Sequence, residues 1–158
     1  MTILDLQDEL SKEVGRILKD VVTTDASGKE VSGVTLYKQQ LPLIKSSEDD
    51  ADSFFPYAVV EVFYGATEGA DEPWTVDTEI QVAVHDEDEA NQGHQHIAVM
   101  CQRIIDRFCA EPLLAERYYA LPEMEWAIPE EDTHPYFFGL IRLAFQVPKI
   151  GRRMTDYD

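Results

Sequence analysis

The chain has 158 residues, and 31 Asp plus Glu against 13 Lys plus Arg leave a formal net charge of -18. A surface this acidic repels phosphate, which excludes nucleic-acid binding driven by counterion release and attraction to an anionic membrane. The length suits one domain with one core, and a hydrophobic content of 44% excludes a disordered polyanion.

The charge is unevenly spread. Between Lys45 and Arg103 there is no Lys or Arg, while the same stretch carries 14 acids. That gap predicts one negative side of the fold, either a solubilising surface or a face that repels polyanion or meets a basic partner. No early segment joins a basic start to an apolar run, and no run nears the ~18 apolar residues of a membrane span. A soluble chain without an obvious export signal is therefore expected. Cys101 and Cys109 fall eight apart on one expected helix, ~12 Å apart along its axis, too far to bond to each other. Free thiols fit a reducing cytosol.

Taken in chain order, residues 3–21 place Ile3, Leu6, Leu10, Val14, Ile17 and Val21 on one stripe, which predicts an amphipathic helix, and Thr2 with Asp5 has the spacing of a capping box. Turn formers fill residues 23–33, and the alternation of Val34 and Leu36 predicts a short extended piece before Pro42. A polar, acidic loop follows over residues 46–53.

Residues 57–64 read as a strand apolar on both faces, hence covered on two sides. After a loop over 65–73, residues 75–85 alternate between a core face of Val76, Ile80, Val82 and Val84 and a wet face of Asp77, Glu79 and Gln81. A second helix is expected from about Glu87 to Ala110, with Ile97, Cys101, Ile104, Ile105 and Phe108 as its stripe and Asp86 with Glu89 as a capping box. Residues 118–128 and 137–147 read as two further antiparallel strands, the first interrupted near Pro122, the second with Ile141, Leu143, Phe145 and Val147 on one face. The order predicts an α+β fold: a mainly antiparallel sheet of four to five strands, two long helices packed on one face. Residues 1–150 form the single domain and residues 151–158 a polar C-terminal tail.

Chemistry is sparse. The run His85, Asp86, Glu87, Asp88, Glu89, with His94 and His96, is the one cluster of metal-ligand residue types, and a metal-dependent enzyme using residues 85–96 is the alternative function of a different class. Two histidines two apart on a helix project about 200° away from each other, so they do not form a helical ligand pair. An acidic turn capping the helix is the expectation, with no metal and no cofactor. Glu130, Glu131, Asp132 and His134 make a second acidic loop, but nothing positions them as an acid/base pair. Nucleophile elbows, Walker loops, dinucleotide-binding glycines and paired CxxC motifs do not occur, so no catalytic residue is assigned and a non-enzyme is expected.

The strand faces expected to be wet are partly apolar: Tyr57, Val59 and Phe63 on the first long strand, Leu140 and Ala144 on the last. Either another subunit covers them or the core wraps both sheet faces.

The phrases Tyr37-Lys38-Gln39-Gln40-Leu41-Pro42, Pro56-Tyr57-Ala58-Val59-Val60-Glu61-Val62, His85-Asp86-Glu87-Asp88 and Pro135-Tyr136-Phe137-Phe138-Gly139, in this order, resemble the tail terminator or tail completion proteins of long-tailed bacteriophages or prophages. The resemblance runs from the first helix to Pro148. It implies a virion assembly protein forming a homo-oligomeric ring, commonly a hexamer, that caps the tail tube and joins it to the head connector. Its partners would be the tail tube protein and the head-tail connector protein, with DNA only in transient passage. Its place would be the virion tail, assembled in the host bacterial cytoplasm. Another head-tail connector or neck subunit is the alternative within that class. Asp71, Glu72, Asp86, Glu87 and Asp88 are then the expected lumen-facing acids, and Tyr57, Val59, Phe63, Leu140, Ala144, Arg152 and Arg153 the expected oligomer or partner interface.

Overall fold

In a computed structural model, residues 3–44 and 51–150 are described. The fold is α+β, built on an antiparallel sheet, and it holds more strands than the sequence predicts. Among the described residues there are two α-helices and eight strands: α1 (Ile3–Leu18), β1 (Val22–Thr24), β2 (Glu30–Ser32), β3 (Thr35–Lys38), β4 (Tyr57–Ala66), β5 (Trp74–His85), α2 (His94–Ala110), β6 (Leu113–Leu114), β7 (Tyr118–Ala127) and β8 (Tyr136–Val147). The expected four to five strands are the long ones plus β3. The additional three, β1, β2 and β6, have two or three residues each, too few for a period-two pattern to register.

Strand β5 is the axis of the sheet. Along its whole length it pairs antiparallel with β8, from Trp74↔Val147 to His85↔Tyr136, and its other edge pairs with β4. Beyond β8 lie β7 and then β6; beyond β4 lies β3, the one parallel neighbour. The β1–β2 hairpin joins at the His85 end through Thr24, whose hydroxyl donates to the His85 carbonyl. Gly28 and Gly33 take positive φ in and after this hairpin, backbone that L side chains rarely adopt.

Helix α1 forms because Leu6, Leu10, Val14 and Leu18 recur every four residues, and all four are fully buried. It ends at Leu18 and not at the expected residue 21, because the β-branched run from Val21 to Thr24 favours extended backbone, and Val22, Thr23 and Thr24 form β1. The Thr2 position of the expected capping box lies outside the described residues. Asp5 instead accepts hydrogen bonds from the Tyr118 hydroxyl and, at 2.8 Å, from Arg117.

Helix α2 begins at His94, seven residues later than expected. The acids before it make turns: Asp86 Oδ1 accepts from the Asp88 amide and Asp88 Oδ1 from the Ala90 amide, each at 3.0 Å. The expected capping box is absent, and Gly93 stands at the N-cap without a side-chain cap. Its buried stripe is Ile97, Met100, Cys101, Ile104 and Phe108.

Both helices cover the sheet face made by Ala58, Val60, Val76, Ile80, Val82, Val84, Ile141, Leu143, Phe145 and Val147. Arg107 of α2 bonds Glu13 of α1 at 2.8 Å and ties the pair together. Gly139 is where α2 lies closest: a Cβ there would sit 2.5 Å from Ile97 Cγ2 and 3.1 Å from Cys101 Sγ. On the opposite sheet face a smaller aromatic cluster, Phe55, Tyr57, Val59 and Ala83 with Tyr37, Phe54, Tyr136 and Phe138 against it, covers only the His85 end.

Candidate interaction surfaces

The acidic histidine-bearing turn is well ordered by its own bonds. His85 closes β5 with its ring buried against Tyr136, and its Nε2 lies 3.4 Å from Glu87 Oε1. His96 Nε2 is 3.3 Å from Asp86 Oδ2, while His94 points elsewhere and lines a cleft of about 240 Å³ with Asn91, Asp132 and Phe137. Among the described residues no group of three His, Cys, Asp or Glu side chains converges to hold a metal. The second acidic loop comes against the first, a contact invisible in sequence: His134 Nε2 is 3.2 Å from the Asp88 carbonyl and Asn91 donates to Asp132 at 3.3 Å. Glu130 and Glu131 stay exposed.

The expected interface residues separate into three groups. Tyr57 and Val59, at 4% and 3% exposure, are buried within the chain by the aromatic cluster, so their apolar character is accounted for without another subunit. Of the two alternatives the sequence leaves open, these two residues take the core that wraps both sheet faces; what the sequence does not show is the cover itself, which arrives from residues 37, 54, 136 and 138. Phe63 is 51% exposed, and Leu140 and Ala144 are half-buried on the same, uncovered half of the sheet. Arg152 and Arg153 lie outside the described residues. The expected lumen acids also separate: Asp71 and Glu72 stand in the β4–β5 loop, Asp86, Glu87 and Asp88 after the other end of β5, ~36 Å away along a twelve-residue strand. Between them β5 presents Asp77, Glu79 and Gln81 on the uncovered face.

Three further features escaped the sequence. At the Trp74 end, a cleft of about 620 Å³ is lined by Ile3, Trp74, Val76, Val147, Pro148 and Ile150. On the α2–β7 flank a smaller one of about 150 Å³ is lined by Ala98, Cys101, Ile105, Trp126 and Ile128, with Trp126 61% exposed. Across the uncovered face a groove of about 600 Å³ runs from Phe63 past Asp77 and Arg142 to Glu123, Met124 and Glu125. Burial, followed by the charge of Glu79 opposite, raises the Glu61 carboxyl above its usual range. Burial pushes the Cys101 thiol up to about 11, which leaves it protonated and inert at neutral pH.

No protein-family model and no curated protein matches the chain.

Proposed function

We propose that the chain is a structural assembly protein, a ring-forming tail terminator that caps a phage tail tube and joins it to the head connector. The observation that supports it most is the presence of two unlike apolar clefts on separate parts of one small domain, the Ile3/Trp74/Ile150 cleft and the Trp126 flank. Two unlike patches on separate parts of the domain are not one self-complementary surface. They suit a head-to-tail contact, which closes into a ring when the rotation allows. The stretches of β4 and β7 that run past their short outer neighbours β3 and β6 are poor alternatives, because β4 carries a bulge between Val62 and Tyr64 and β7 shifts register around Pro122.

In such a ring the acidic loops at the two ends of β5, Asp71 with Glu72 and Asp86 with Glu87 and Asp88, face the lumen, and DNA passes them without specific binding. The tail tube and the connector are the ring's axial partners. Light scattering with negative-stain microscopy tests the reading: closed rings, hexamers by resemblance, are the expected result, and a strict monomer with or without tube protein contradicts it.

A further inference from the structure

One row of the uncovered sheet face is badly balanced in charge. In register across four strands stand Glu61 of β4, Glu79 of β5, Arg142 of β8 and Glu125 of β7. Glu61 directly faces Glu79, and like charges in that position destabilise a sheet. Arg142 lies 3.7 Å from Glu79 and 5.9 Å from the Phe63 ring centre, so the only guanidinium in the row is already shared. Asp77 and Tyr64 face each other in the adjacent row, and Glu123 lies in the groove beside Glu125. Five carboxylates therefore surround one arginine and an exposed phenyl ring on a face that, among the described residues, nothing covers.

The chemistry of this groove selects among occupants. Nucleic acid is repelled. A second copy of the same face would set carboxylates against carboxylates in a chain of net charge -18. A single cation is too small, because Glu61 and Glu125 are three strand spacings apart, ~14 Å. An extended segment spans it: side chains four residues apart on one side of a strand are separated by ~14 Å, the distance from Glu61 to Glu125.

We infer that the outer sheet face from the Glu61–Glu79 pair across the groove to Glu125 docks an extended, basic segment of a partner protein, whose lysine or arginine side chains end on the Glu61–Glu79 pair and on Glu125 and whose apolar side chain rests on Phe63. The docking belongs to one chain and does not depend on ring closure. The test is amide chemical-shift mapping and calorimetry on the full chain with a short blocked peptide alternating Lys and Val, against peptides alternating Glu with Val and Lys with Gly. The expected result is binding of the Lys–Val peptide with shifts confined to the outer-face residues of β4, β5, β7 and β8. It weakens roughly tenfold in the Glu61→Gln/Glu79→Gln double variant, the loss of two charge contacts. Phe63→Ala weakens the Lys–Val peptide and leaves the Lys–Gly peptide unchanged. No binding, shifts scattered over the whole acidic surface, or a changed oligomeric state in the double variant, which would assign the face to a contact between copies, overturns the inference. All three substituted side chains point away from the helix-side core, and thermal unfolding of each variant confirms a retained fold.

Discussion

Glu61 and Glu13 show how position in the fold sets opposite pH responses for one residue type. Glu61 is raised by burial and by Glu79, so the folded chain holds that proton more tightly than the unfolded one. Its contribution to stability is present in acid and lost as pH rises through its folded pKa. Glu61→Gln is therefore expected to stabilise the protein at neutral pH by up to about 0.5 kcal/mol, the scale of a cross-strand pair, and to lose that advantage in acid. Urea unfolding of the variant and the parent at both pH values checks it, and a less stable variant at pH 7 contradicts it. Burial works against the charge of Glu13 too, yet hydrogen bonds from Arg16 and Arg107 outweigh it and hold the carboxyl low. That contribution is present above the ordinary glutamate range and lost as pH falls through the lowered value. Arg16 stands three positions from Glu13 on one helix, a spacing the sequence shows, but Glu79 lies 18 positions and Arg107 94 positions from its partner, and those contacts the sequence does not show.

At the scale of elements, the long segments were read well and the short ones were not. Strands β5 and β8 alternate over twelve residues each, and their core faces are those the pattern assigns. The start of α2 was misplaced because a capping-box spacing and an acidic turn have the same composition, and only the backbone decides between them. The seat of α2 on the sheet depends on Gly139, a residue with no periodic signal at all. Gly139→Ala is expected to cost about 1–3 kcal/mol, since the added methyl meets Ile97 and Cys101 in a packed core. Thermal or urea unfolding measures it, and an unchanged midpoint would show that α2 can lift off without loss.

For the whole molecule, the α+β class and the uneven charge followed from the sequence, while the two clefts that support the assembly proposal did not. Ile3, Trp74 and Ile150 come from three separate parts of the chain, and Trp126 stands in a segment that reads as an ordinary strand. The apolar positions singled out from alternation divided instead: Tyr57 and Val59 serve the chain's own second core, and Phe63 with Leu140 and Ala144 remain on the open face. The proposed ring requires two unlike contact patches joined head to tail. Ile3→Glu spoils one cleft and Trp126→Glu the other, both at exposed positions where the fold tolerates a charge. Sedimentation velocity on the two variants, alone and mixed, is the most direct measurement. Monomers from each variant alone and a discrete dimer from the mixture, joined through the one intact pair of patches, is the predicted result. A ring from either variant alone, or no association in the mixture when the parent chain forms rings, contradicts it.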